Sequence, residues 1–154
     1  LLFIRRAEHP KDPWSGQMAF PGGRAEPGED LARTAIRETA EEVGLDLDVA
    51  PGRLGTLDQV YATARGRLVD LVIQPFVYRI EPPQQADPRE EVRSVHWISL
   101  DALLGPTFRS TMSYEFGGGS VELPCFRIGE TVIWGLTYRM FLNLEGILRA
   151  APTG

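Results

Sequence analysis

The chain has 154 residues, 43% hydrophobic and 24% charged, the size and make-up of one ordinary globular domain rather than a disordered or fibrous chain. Lys and Arg number 16 against 21 Asp and Glu, and the formal net charge of −5 argues against a general nucleic-acid binder, which needs a basic face. Cys125 is the single cysteine, so no internal disulfide forms, and no apolar run approaches the roughly 20 residues of a membrane span; a reducing, cytoplasmic setting without a membrane partner is expected.

Residues 1–6, LLFIRR, read as the end of a strand that starts upstream, because the chain opens inside an apolar run without Met; a truncated N-terminus is expected. AEHPKDPWSGQ is rich in Pro, Asp, Ser and Gly and reads as a loop. MAFPGG is an apolar step into a turn, where Gly22 and Gly23 permit backbone angles that other residues resist. RAEPGED continues the loop, with Glu29 or Asp30 opening a helix. From Leu31 to Val43 the positions Leu31, Ala35, Ile36, Thr39 and Val43 recur at helical spacing, and Gly44 ends the helix.

RLGTLDQVY and RLVDLVIQPFVYRI read as two strands joined by a turn at ATARG, and EPPQQADPREE as a loop. VRSVHWISL reads as a further strand, with Trp97 and Trp134 expected in the core. SLDALL reads as a short capped helix, and TMSYEFGGGSVELPCFRIG as two short strands about a glycine turn. TVIWGLTYRMFLNLEGILR reads as a closing helix with Leu136, Met140, Phe141, Leu144, Ile147 and Leu148 on one face. With no repeat and no linker, one domain over 1–154 is expected, with 151–154 as a tail. The class is α/β in the α+β sense, a mixed sheet with helices on both faces.

RETAEEVGL, Arg37 to Leu45, crowds Glu38, Glu41 and Glu42 together. At about 100° per residue these acids fall within an arc of roughly 100°, away from the apolar positions. They converge on one point while the helix is held by another face. Like charges so close repel, and something positive must compensate. Hard oxygen ligands without His or Cys favour Mg²⁺, Mn²⁺ or Ca²⁺ over zinc, and Mg²⁺ completes its shell with waters and substrate phosphates. Two glutamates alone most often form just a solvated face.

The surroundings are more specific. Gly23, Glu29, Arg37, Glu38, Glu41, Glu42, Gly44 and the aliphatic Leu45 stand in the spacing G-x5-E-x7-R-E-U-x-E-E-x-G-U, with U a bulky aliphatic. This resembles the Nudix box. Seven fixed residue types at about 7% each match by chance on the order of once in a million such chains. Thr39 departs from the preferred Ile, Leu or Val, but it is β-branched and close to Val in size. The strand order and the closing helix also look like the family. The resemblance implies the Nudix fold, a mixed β-sheet sandwiched between helices with a loop–helix–loop box. It implies a hydrolase of a nucleoside diphosphate linked to another moiety, dependent on Mg²⁺ or Mn²⁺. By the same resemblance Glu38, Glu41 and Glu42 ligate metal with the Gly22 carbonyl, Arg37 orients the glutamates and Glu29 pairs with Arg37. Glu38 is the expected base for the attacking water. Some members recruit a later loop acid, for which Glu90 and Glu91 are candidates beside their reading as a solvated loop. Dimers are common in the family, so a homodimer is allowed.

Substrate identity lies mostly outside the box. LLFIRRAEHPKDPWSGQMAFPGG partly resembles the coenzyme A pyrophosphatase pattern LLTxR[SA]x3Rx3Gx3FPGG, matching at Leu1, Leu2, Arg5, Gly16, Phe20, Pro21, Gly22 and Gly23. Phe3 replaces the threonine, Arg6 replaces the small residue, the second arginine is absent, and the segment from Arg5 to Gly16 is two residues longer. Coenzyme A or an acyl-CoA is the first expectation. NADH, ADP-ribose, a diadenosine polyphosphate or a nucleoside triphosphate are alternatives, and a non-catalytic nucleotide-binding module is a third. Arg5 is a candidate phosphate contact. Trp14, which could stack on a base, and Phe20 join it as candidate substrate residues. His9, His96 and Cys125 are isolated and carry no catalytic reading.

Overall fold

The computed structural model describes residues 1–48, 52–64, 67–81 and 84–151. In chain order the elements are β1 Leu2–Arg6, β2 Met18–Ala19, α1 Leu31–Val43, β3 Gly52–Thr56, β4 Val60–Ala64, β5 Arg67–Ile73, β6 Phe76–Arg79 and β7 Val92–Trp97. Then follow α2 Leu100–Leu104, β8 Arg109–Phe116, β9 Gly119–Ile128, β10 Thr131–Trp134 and α3 Gly135–Ala150. The strands pair in the orders β2-β1-β7, β10-β9-β8, β3-β6 and β4-β5. Each of these ladders is antiparallel.

Strand β1 is the centre of the arrangement because side chains alternate across a strand. Phe3 points into one cluster with Met18, Leu103, Phe126, Ile133, Tyr138 and Phe141, supplied by β2, α2, β9, β10 and α3. Ile4 points the other way, into a cluster with Val43 of α1, Leu45 just past its cap and Val92 of β7. Phe3 and Ile4 are both fully buried. The strand is thus covered on both faces, by α1 on one side and by α2 and α3 on the other. Phe126 anchors the larger cluster, edge-on to Phe141 at 4.9 Å and tilted to Tyr138 at 4.9 Å.

Helix α1 begins at Asp30, whose carboxylate accepts from the Ala32 and Arg33 amides. It ends at Gly44, left-handed at φ 75°, with its N–H on the Ala40 carbonyl. Its buried residues are Ala32, Thr34, Thr39, Glu42 and Val43, while Leu31 is 48% exposed. The helix is therefore rolled from the apolar face read off the sequence, and the roll carries a carboxylate inward.

Each of the two long strands expected between residues 53 and 80 is broken in two. Pro75 has no N–H to give to a ladder. At the break Leu57 N donates to the Pro75 carbonyl at 3.1 Å, and the Gln74 side-chain amide donates to the Leu57 carbonyl at 2.8 Å. Of the expected ATARG turn, 65–66 lie outside the described residues.

The closing helix starts four residues later than expected, because Thr131–Trp134 pair with β9 before the chain turns at Gly135, φ 61°. Met140 and Phe141 are buried as expected, but Ile147 and Leu148 are 51% and 40% exposed. Glu145 is buried instead. Burial opposes its ionisation, yet bonds from Arg109 and Arg149 hold its carboxyl below the usual range and tie α3 to β8. Trp97 is 53% exposed, against the expected core position, while Trp134 is half-buried beside Tyr114. No helix among the described residues is long and apolar enough to cross a membrane.

Candidate active site

The turn at 22–23 and helix α1 meet through two contacts. Gly22 N donates to Glu42 Oε2 at 2.9 Å. Gly23 lies against Glu38 so closely that a Cβ there would stand 2.3 Å from the carboxylate carbon. Glycine at 23 is thus required by the approach of a carboxylate, not by its own backbone angles.

Arg37 organises the outer edge. Its Nε and Nη2 donate to the two oxygens of Glu29 at 2.9 and 3.0 Å, a fork on a carboxylate. Its Nη1 donates to Glu38 at 2.9 Å and to Glu41 at 3.0 Å. Glu29 also accepts from the Glu26 amide and from the Thr34 hydroxyl. The Arg37 bonds, then that amide, pull the Glu29 carboxyl down to about 2. Arg37 in turn is held above its ordinary range by Glu29 and Glu38.

Glu42 behaves oppositely. It is 4% exposed, and burial raises its carboxyl to about 7. Glu38 and Glu91 push in the same direction, while the Gly22 N–H and the charge of Arg6 work against it.

The segment before β7 closes the other wall. Asp87 N donates to the Val43 carbonyl and Arg89 N to the Glu42 carbonyl, each at 3.0 Å, and Arg89 Nη1 donates to the Ala40 carbonyl at 2.9 Å. The two amide bonds satisfy carbonyls that a helix C-terminus leaves open, and the Arg89 side chain is a second donor to the Ala40 carbonyl beside Gly44 N. They carry the next residues, Glu90 and Glu91, to the site. Ala7 N donates to the Glu91 carbonyl at 2.9 Å, fixing that loop to the end of β1.

The result is a cleft of about 860 Å³ lined by Arg6, Gly22, Gly23, Arg24, Glu38, Glu41, Glu42, Arg89, Glu90 and Glu91. Five carboxylates face three guanidiniums there, a shortfall of two positive charges when all are ionised. That shortfall and the all-oxygen donor set fit a hard divalent cation. Among the described residues no three acidic, His or Cys side chains stand as a ready-made ion cage. Glu38 and Glu41 each give one carboxylate oxygen to Arg37 Nη1.

Not every candidate reaches this cleft. Arg5 lines a separate hollow of about 260 Å³ with Met18, Val132 and Trp134. Phe20 stacks on Phe3 at 4.7 Å and packs against the larger core cluster, so its role is in packing rather than at the cleft. Trp14 is half-buried in the β1–β2 loop, with its amide on Asp12 Oδ1, and does not line the cleft. The sequence reading missed Arg6, Arg24 and Arg89. Strand alternation at β1 holds the signal for Arg6, since Leu2, Ile4 and Arg6 share the α1 side; nothing in the sequence marks Arg89.

Comparison with known proteins identifies the family. The family described as NUDIX domain matches residues 1–115. The chain is 32% identical over 142 residues to the mitochondrial coenzyme A diphosphatase NUDT8 of Mus musculus, covering 89% of this chain and 65% of that protein. It is 35% identical over 114 residues to the peroxisomal coenzyme A diphosphatase ndx-8 of Caenorhabditis elegans, covering 72% of this chain and 46% of that protein. The chain thus spans less than two thirds of these relatives' length. A crystal structure of a MutT/nudix family protein from Enterococcus faecalis superposes with a TM-score of 0.60 over 96% of this chain and 54% of that one, at 19% identity, and shows the shared fold.

Proposed function

The chain belongs to the NUDIX domain family, and from that premise we propose that it is a divalent-metal-dependent pyrophosphohydrolase, acting as a single domain on the diphosphate of a nucleotide-linked compound. The observation that carries this reading is one cleft holding Glu38, Glu41 and Glu42 against the Gly22–Gly23 turn with a deficit of positive charge. Glu38, Glu41, Glu42 and the Gly22 carbonyl would hold Mg²⁺ or Mn²⁺. When bound, the ion supplies Lewis-acid polarisation of phosphate oxygens and makes water easier to deprotonate.

The chain's own groups do the rest. Arg37 fixes the rotamers of Glu38 and Glu41 and offsets their charge, and Glu29 holds Arg37 in place. Glu38 takes a proton from water as its oxygen adds to one phosphorus. The bond from that phosphorus to the bridging oxygen breaks, and the second phosphate leaves. A placed base of this kind contributes about 10²–10⁴-fold. Glu90 and Glu91 face the same cleft and are the alternative acids for this step.

The substrate we propose is coenzyme A or an acyl-CoA. It is supported by the relatives' names as coenzyme A diphosphatases and by the partial match at Leu1, Leu2, Arg5 and Gly16. The other candidates are dinucleotides and nucleoside triphosphates. Product analysis separates them: coenzyme A gives 3′,5′-ADP and 4′-phosphopantetheine, whereas a triphosphate releases pyrophosphate. The compartment proposed is the cytoplasm, although the relatives' names place those proteins in mitochondria and peroxisomes. Neither nucleic acid nor membrane is proposed as a partner, and a homodimer is the assembly suggested by family likeness.

The direct test is Glu42→Gln, close to isosteric with the neutral carboxyl. Metal-dependent turnover is expected to fall about a hundredfold or more with the melting temperature retained. Undiminished turnover in that variant would sink the assignment of Glu42.

A further inference from the structure

Strand alternation sends Arg5 and Arg6 to opposite faces of β1. Arg5 goes to the smaller hollow, and Arg6 goes to the cleft with Glu38, Glu41 and Glu42. We infer that Arg6 is the residue that receives the diphosphate of the substrate, held ready for it by Asp12. This deepens the proposed function and rests on it.

Three observations carry the inference. First, Arg6 is fixed. Its amide donates to the Gln17 carbonyl at 3.0 Å, and the neighbouring Ala7 amide holds the Glu91 carbonyl at 2.9 Å. The guanidinium is tied by Nε and Nη2 to Asp12 Oδ2 at 2.8 Å. Asp12 is itself pinned, because its other oxygen accepts the Trp14 amide at 2.9 Å. Second, donors remain. A guanidinium carries five N–H groups, and Asp12 accepts the one on Nε, with Nη2 in ion-pair contact with the same oxygen. A phosphate offers the matching acceptors. Third, the other cations on the cleft are less suited. Arg89 is drawn toward the end of α1, where its Nη1 donates to the Ala40 carbonyl. Arg24 is exposed and must lose side-chain freedom to bind. Arg6 has a side chain only 26% exposed, over an Asp12 that is 14% exposed, and much of that ordering is complete before an anion arrives.

A cation at this point should favour an anionic substrate and not the metal, since it sits among the carboxylates that would hold the ion. That separates its role from structural support of the metal site. It also makes Arg6 a feature of this chain, standing where the coenzyme A pattern has a small residue.

The test uses two probes by titration calorimetry: Mn²⁺ alone, then methylenediphosphonate, which cannot be hydrolysed, in saturating Mn²⁺. Arg6→Ala should weaken methylenediphosphonate about tenfold to a hundredfold, the scale of a charged hydrogen-bonded contact, and leave Mn²⁺ binding undiminished. Arg6→Lys, which keeps the charge but not the fork, should lose less. Arg5→Ala should bind both probes as the unaltered chain does. Methylenediphosphonate binding unchanged in Arg6→Ala overturns the inference alone, as does an equal loss in Arg5→Ala. An unaltered chain that binds neither probe overturns the proposed function and this inference with it.

Discussion

Two glutamates four positions from each other on one helix meet different surroundings. Glu38 and its neighbour Glu41 stay near a guanidinium, but Glu42 is buried, and its carboxyl rises to about 7 from 4.5. The sign of the consequence follows from linkage. A carboxyl whose folded value is raised stabilises the fold below about 4.5, and that contribution is lost as pH rises through about 7. The metal-free protein should therefore lose stability between those values, by up to about 1.4 kcal/mol per pH unit. Mn²⁺ needs the ionised form, so the ion should raise the melting temperature more at pH 8 than at pH 5. Melting curves across pH, with and without Mn²⁺, read both effects; a flat metal-free profile would contradict the burial of Glu42. Glu29 has the reverse linkage, stabilising above about 4.5 and losing that as pH falls toward 2. Gly23 gives a second residue-scale prediction. A methyl there collides with the free end of the Glu38 side chain, not with backbone. Gly23→Ala should then leave the melting temperature within a few degrees, because the carboxylate can turn away, while turnover falls about tenfold or more. Loss of stability without loss of turnover would show that the glycine serves the turn alone.

At the scale of elements, the site depends on how β1, α1 and the segment before β7 are joined. The bonds from Asp87 and Arg89 to the last carbonyls of α1 bind the helix that carries Glu38, Glu41 and Glu42 to the loop acids. Arg89→Ala removes one of those bonds and should cost about 1 kcal/mol of stability. Weaker Mn²⁺ binding in titration should accompany it, while Arg89→Lys recovers part of the loss. Mn²⁺ binding unaltered in Arg89→Ala would limit the residue to capping. What was legible in the sequence divides along the same line. The box was legible because its spacing is set by one turn and one helix, so Asp30 and Gly44 cap α1 where composition places them. Arg6 was signalled only by strand alternation at β1 and Arg89 not at all, because their placement at the cleft depends on β1 pairing with β7 across the length of the chain. The break at Gln74–Pro75 was visible as a proline in an apolar run, yet it was read through. The roll of α1 was hidden for another reason. Apolar spacing could not announce that a glutamate would be buried, since its burial is maintained by an amide from a distant turn.

For the molecule as a whole, a net charge of −5 and a cleft with a surplus of carboxylates are poor attractors of an anionic substrate unless a cation comes first. Under the proposed function the metal is then the gate to substrate binding, with Arg6 as the preset contact beyond it. The larger cluster around Phe126 and the smaller one around Ile4 hold the two faces of β1 apart, and the cleft opens at the end of that strand. The measurement that tests this most directly is hydrolysis of coenzyme A, with and without Mn²⁺, resolving products by mass beside NADH, ADP-ribose and ATP. The account predicts 3′,5′-ADP and 4′-phosphopantetheine from coenzyme A, formed only with metal and lost in Glu42→Gln. Turnover of another compound in the set, with coenzyme A untouched, would contradict the substrate and leave the cleft chemistry standing. Silence across the set, or turnover indifferent to metal, would contradict the central claim.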